Sequence, residues 1–135
     1  MRVFTVLFAA VAVAASVVAQ KVQVKIEERV VVFDVAPMER NGITMVAVRS
    51  MLDAMDSSMK WDIERQVVTG WKNSRKFEVV LNSREARVND KIVTLEEPAY
   101  IHRGRIFVPL KFVAEATGHL ISRESSWYVL RPTIK

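Results

Sequence analysis

The chain of 135 residues contains no cysteine. That absence excludes a disulfide scaffold, a thiol nucleophile, a zinc site built on thiolates and a bacterial lipoprotein anchor. Histidine is nearly as scarce. His102 and His119 show neither the HxH nor the HxxxH spacing, and a competent metal site takes three or four ligands. Charge of one sign is not in large excess either: 20 Lys+Arg stand against 15 Asp+Glu, for a net +5. A balance that modest and that dispersed does not describe a disordered polybasic chain. No Gly-x-Ser-x-Gly elbow is present, and the serines fall mostly in turn-like segments. Paired carboxylates such as Glu27-Glu28 and Glu96-Glu97 occur at expected turns and strand ends, where solvated charge is ordinary, so they are not read as an acid/base pair. The sequence therefore assigns no catalytic residue, no metal ligand and no cofactor. Its length suits one hydrophobic core.

One long apolar run is present. Arg2 is followed by Val3 to Val18 without a charge, interrupted only by Thr5 and Ser16. As a helix, such a run spans about 24 Å at ~1.5 Å per residue, short of a ~30 Å hydrocarbon core. Val17-Val18-Ala19 then offers small or short residues for a signal peptidase. The expectation is a signal peptide over 1–19, cut between Ala19 and Gln20, leaving residues 20–135 with one positive charge fewer; the alternative is the same run retained as an uncleaved anchor. No second apolar run follows, so no stable transmembrane segment is expected after cleavage. Such a chain is expected to be secreted or held in the cell envelope, where nucleic acid is not an expected partner.

The remaining chain resembles itself. Residues 28–34 (Glu-Arg-Val-Val-Val-Phe-Asp) align with residues 90–96 (Asp-Lys-Ile-Val-Thr-Leu-Glu), and the same offset pairs Gly42 with Gly104, Val46 with Val108, Val48 with Leu110 and Ala54 with Ala116. Similarity at a fixed offset implies one structural plan used twice, with repeats at about 24–71 and 86–131. Each copy reads as strands, a helix and further strands. Val24 to Ile26 and Arg29 to Phe33 suggest a hairpin around Glu27-Glu28, and Asn89-Asp90 marks the matching turn. Val48, Met51, Leu52 and Met55 share one helix face, and Leu110, Val113, Ala114 and Thr117 repeat the spacing. Strand patterns follow at Met59 to Trp61, Gln66 to Trp71, Lys76 to Leu81, Leu120 to Arg123 and Trp127 to Leu130. The fold class is α+β: two sequence-related repeats forming a mostly antiparallel sheet packed on two short helices.

The segment Val108-Pro109-Leu110-Lys111-Phe112-Val113-Ala114-Glu115-Ala116-Thr117-Gly118, with Gly104-Arg105 before it, resembles the N-terminal, or stalk, domain of copper amine oxidases, common in bacterial secreted and cell-surface proteins. That family shows an Asn-Gly-Arg turn, a Val-Pro-Leu-Arg segment, an apolar helix ending in Ala-Leu-Gly and a Trp-Asp strand. Trp61-Asp62 supplies the last element in the first copy. The resemblance covers roughly 22–131. The first copy departs at Ala47 and Asp56, and the second at Lys111 and at Arg123-Glu124, which replaces Trp-Asp. The family name does not imply copper or amine oxidation here. In full-length oxidases a separate catalytic domain carries three histidine ligands and a modified tyrosine, and neither Tyr100 nor Tyr128 sits in the Asn-Tyr-Asp/Glu context of that cofactor.

The resemblance implies a non-catalytic structural or binding module. Candidate binding residues are Trp71 and Trp127, able to stack on sugars, and the basic groups Lys72, Arg75, Lys76, Arg103 and Arg105. From Lys72 to Arg105, eight Lys/Arg face five Asp/Glu, an excess that would attract an anionic polymer over a screened range of about 8 Å. Candidate partners are a cell-wall glycan, an anionic wall polymer or another envelope protein; exposed strand edges offer self-association or partner docking as an alternative. A glycan-active enzyme is the remote reading. Arg49 with Asp53 and Lys111 with Glu115 are expected as ion pairs along each helix face rather than as an anion site, because both partners recur together.

Overall fold

The computed structural model describes residues 22–133; the apolar run and the expected cleavage between Ala19 and Gln20 lie outside them. The described chain opens with β1 (Gln23–Ile26) and β2 (Arg29–Val30), a hairpin turned by Glu27 at φ 55°. The second hairpin joins β3 (Met38–Arg40) to β4 (Ile43–Ala47) through Asn41 and Gly42, at φ 50° and 80°. Two consecutive positive φ values twist the chain in the sense that flanking strands require, which is why Asn-Gly is favoured there. β4 runs directly into α1 (Val48–Ala54), and β5 (Ser58–Asp62), β6 (Val67–Lys72) and β7 (Arg75–Val80) follow as a meander. The chain continues through β8 (Glu85–Val88) and β9 (Lys91–Thr94), β10 (Tyr100–His102) and β11 (Arg105–Pro109), α2 (Leu110–Ala116), and β12 (His119–Glu124) with β13 (Trp127–Pro132).

These strands form three sheets in the orders β12-β13-β1-β2, β10-β11-β4-β3 and β5-β6-β7-β8-β9. All named strand pairs are antiparallel except β1 with β13, which run parallel and bring the two ends of the described chain together. Fold class is α+β with sheet predominating. The central pairing of β4 with β11 sets Val46 against Val108, flanked by Ala47 against Phe107 and Met45 against Pro109.

Each helix is only seven residues long, has no side-chain cap and carries no acidic residue in its first turn. Isolated helices of that length are unstable in water, so packing holds them. Val48, Met51 and Leu52 of α1 are buried, as are Leu110, Phe112, Val113, Ala114 and Ala116 of α2. Burying each large apolar side chain contributes about 1.5–3 kcal/mol, which outweighs the missing caps. One cluster gathers both helices with residues of all three sheets, among them Val24, Val46, Val68, Phe77, Ala86, Val108 and Leu130. A smaller one beneath β3 and β10 holds Met45, Ala47 and Phe107.

The helices end as the turn chemistry demands. Asp56 lies at φ 53° and Gly118 at φ 77°, so Asp56 makes the left-handed exit that glycine makes in the second helix. Pro109 closes β11 and directly precedes α2. Three expectations are corrected. β2 covers two residues instead of five: Val31, buried, still donates its N–H to the Val24 carbonyl, and the chain leaves the ladder after it. Lys111 reaches Glu96 at 3.8 Å rather than Glu115. Among the described residues, Arg49 and Asp53 form no ion pair within 4.0 Å, as two exposed side chains gain little by holding one geometry.

Trp61-Asp62 has a clear local role. Trp61 packs against the main cluster, while the Asp62 carboxylate accepts the backbone N–H groups of Glu64 and Arg65, both at 3.1 Å. Asp62 thereby holds the four-residue turn between β5 and β6. Between β12 and β13 the turn is only Ser125-Ser126, with Ser125 at φ 56°. Glu124 has no such turn to hold and instead pairs with Arg131 at 3.1 Å.

Candidate functional site

The seven candidate binding residues are distributed over all three sheets. Trp71, Lys72, Arg75 and Lys76 lie at the β6–β7 hairpin end, where Trp71 pairs with Lys76 and Lys72 with Arg75. Trp71 faces outward at 36% exposure, while Phe77 fills the core face opposite Gly70. Lys76 is engaged by Glu78 at 3.2 Å. Trp127 begins β13 in another sheet, and the Lys25 ammonium sits 4.4 Å from its ring centroid, covering one face that a sugar would use. Arg103 lies in the β10–β11 turn at φ 50°. Arg105 is committed elsewhere: its Nε donates to Asp34 Oδ2 at 2.6 Å. That contact holds the Asp34 carboxyl below the usual carboxylate range and the Arg105 guanidinium above its ordinary value.

A cleft of about 340 Å3 opens between the start of β4, the start of α2 and the β12–β13 pair. Ile43, Leu110 and Ile121 give it apolar walls, and Lys111, Arg123 and Tyr128 bring polar groups to its rim. Tyr128 and Arg123 are cross-strand partners. The guanidinium lies 5.1 Å from the tyrosine ring centroid, and its terminal nitrogen donates to the hydroxyl at 3.4 Å. Thr44 Oγ1 lies 3.5 Å from the same hydroxyl, linking β4 to β13. Sequence reasoning missed this place. Arg123 entered only as a departure from Trp-Asp, and Tyr128 only as a tyrosine lacking a cofactor context. The available signal was that departure: a cation standing where the other half has a tryptophan.

A second depression, of about 430 Å3, is lined in part by Glu27, Arg29, Asp56, Lys72 and His119. Two of its charges are paired with each other. Arg29 donates to the Ala54 carbonyl at 2.9 Å and to Asp56 at 3.2 Å. His119 is 5% exposed, and its Nδ1 lies 3.0 Å from Thr117 Oγ1. The Thr117 hydroxyl donates to the Val113 carbonyl at 2.6 Å, so the histidine contact is completed by Nδ1–H donating to Thr117. Burial pushes the imidazole below its usual range, and the nearby Lys72 ammonium adds to that shift.

A third polar cluster surrounds Glu97, a buried carboxylate that accepts from Asn41 at 3.0 Å with Arg40 at 3.9 Å. Arg40 also lies over the Tyr100 ring at 4.3 Å, and burial raises the Tyr100 hydroxyl above its ordinary range. These contacts anchor the β3–β4 turn against the β9–β10 connection.

The described histidines do not fit a copper centre. His102 lies in β10 and packs edge-on against Phe107, whereas His119 lies in β12 of a different sheet with one ring nitrogen held by Thr117. Among the described residues, no group of three or more His, Cys, Asp or Glu is placed to hold a metal ion. Among them too, no helix is long and apolar enough to cross a membrane.

A scan against protein families matches the copper amine oxidase N-terminal domain over residues 12–129. No curated protein matches the chain. The family is one of non-catalytic domains, in keeping with a structural module. The hairpin turns at Asn41-Gly42 and Arg103-Gly104, the strand-to-helix junctions at Ala47 and Pro109, and the Trp61-Asp62 turn all lie inside the matched span. The chain belongs to the copper amine oxidase N-terminal domain family.

Proposed function

We propose that this chain is a non-catalytic structural or binding module that works outside the cytoplasm, built from one plan used twice. The observation that carries the reading is the family match, which spans nearly the whole described fold with a domain that performs no chemistry. Support for the doubled plan comes from position. β1 and β8, β3 and β10, β4 and β11, and the two helices fall at the constant spacing that sets Val46 opposite Val108, so the pairing of β4 with β11 has the form of an isologous contact. Support for export comes from the apolar run behind Arg2.

In this reading the three sheets present loops and faces to a wall glycan, an anionic wall polymer or another envelope protein. The basic hairpin end of Lys72, Arg75 and Lys76 and the turn at Arg103 are the contact points for an anionic polymer; Arg105, already held by Asp34, contributes least. The test is retention on insoluble cell-wall polysaccharide. Retention at low salt that weakens steeply with added salt supports the reading, since exposed charges are screened. No retention at low salt contradicts the wall-binding form.

A second reading, pairing through strand edges, rests on exposed apolar residues there: Val30 on β2, Ile92 on β9, Ile101 on β10 and Leu120 on β12. Sedimentation giving only monomer at high concentration rejects its self-associating form.

A further inference from the structure

We propose that the cleft between β4, α2 and the β12–β13 pair binds a small carboxylate with an apolar body, its head on Arg123 and its body on Ile43, Leu110 and Ile121. The inference rests on the binding-module reading and names a ligand class for it.

The two halves of the sequence differ where the cleft lies. In one half, Arg105 at the start of β11 extends an arm to Asp34. The corresponding residues of the other half are Ile43, at the start of β4, and Glu96. An isoleucine side chain has no group to reach a carboxylate, so the space an arginine arm would cross stays open, and Glu96 turns to Lys111 at 3.8 Å. The same contrast recurs on the next strands. β5 and β6 place Trp61 opposite Val68, both packed on the core, whereas β12 and β13 place Arg123 opposite Tyr128. A bulky apolar pair is thereby replaced by a cation lying on a phenol ring.

The charges around the cleft then select the ligand. Glu96 is engaged by Lys111, and Glu124, next to Arg123 in sequence, is engaged by Arg131. Among the described residues, Arg123 has no carboxylate within ion-pair distance. Its guanidinium is held by the Tyr128 ring and hydroxyl, and Thr44 steadies that hydroxyl. Of the five N–H donors on a guanidinium, one is given to Tyr128. The remaining fork matches a carboxylate in geometry and charge. Holding the fork in place beforehand removes part of the ordering cost of binding. Lys111 adds a second positive charge to the rim, and the apolar walls take the remainder of the ligand.

The experiment is a two-dimensional amide NMR titration of the chain with sodium octanoate, below its micelle concentration, in parallel with octanamide and octylamine. The expected result is saturable shifts at Thr44, Lys111, Ser122 and Tyr128 with octanoate, and clearly weaker effects with the neutral and cationic analogues. Arg123→Gln is expected to weaken octanoate binding about tenfold, the loss of one charge-assisted contact. Ile43→Arg, which builds the missing arm toward Glu96, is expected to abolish it. Arg123 is exposed, so its substitution leaves the fold intact for measurement whatever Ile43→Arg does. Absent or scattered shifts, equal response to octanamide, or unchanged binding by Arg123→Gln overturns the proposal. Because the probe contains no wall material, this failure is distinguishable from loss of wall retention.

Discussion

Gly70 and Phe77 show how tightly single residues are bound to this core. A Cβ at Gly70 would lie 2.3 Å from the Phe77 ring, and that ring packs edge-on against Phe112 with centroids 5.6 Å apart. The ring has nowhere to retreat. Gly70→Ala is expected to destabilise the fold by about 1–3 kcal/mol, the cost of overpacking a filled core; an unchanged melting temperature would remove the claim. His119 supplies a pH-dependent test. Its folded-state affinity for protons is lowered by burial and by Lys72, so the unfolded chain takes the proton more readily. Its contribution is complete above the unfolded value of about 6.5 and declines as pH falls below it. The melting temperature should therefore fall between about pH 7.5 and about pH 5.5, and His119→Gln should flatten that fall. Identical pH profiles for parent and variant would show that His119 does not contribute. Neither relationship was legible in the sequence, because each depends on a neighbour brought close only by the fold.

Among the elements, α2 is the most informative. The spacing of Leu110, Val113, Ala114 and Thr117 gave one buried face in sequence, and all four are buried. Phe112 and Ala116 are buried as well, so the helix is enclosed on most sides and only Lys111 and Glu115 remain exposed. A stripe argument undercounts such a helix, since it assumes one wet face of ordinary width. Leu110→Asp or Val113→Asp is expected to unfold the protein, as each places an unpaired charge in a dry site. Thermal melting within a few degrees of the parent would refute that placement. The turns were legible for a different reason: Asn41-Gly42, Asn89 and Gly118 carry local backbone demands that identify them without tertiary context. The parallel pairing of β1 with β13 was not legible. It joins segments about a hundred residues apart, and nothing in either strand's own pattern names its partner.

The whole molecule closes on that pairing. β1 supplies the only described strand between β13 and β2 in its sheet, and Val24 and Leu130 enter the same core as both helices. The three sheets should therefore unfold as one unit. In urea, tryptophan fluorescence and far-ultraviolet circular dichroism should report coincident transitions, and two separated midpoints would contradict a shared core. The same enclosure explains why the candidate site was harder to read than the fold. Turns and helix faces carry their own local patterns, whereas the cleft exists only where Ile43, Arg123 and Tyr128 come together from separate elements. The seven residues chosen for stacking or charge lie on separate sheets because those properties carry no information about convergence.

The most direct test of the central claim, an exported module acting at the envelope, is to fractionate cells expressing the full chain and determine its mass and first residue in each fraction. The account predicts a chain beginning at Gln20, in the envelope fraction or the medium. An uncut chain recovered from the cytoplasm would contradict it.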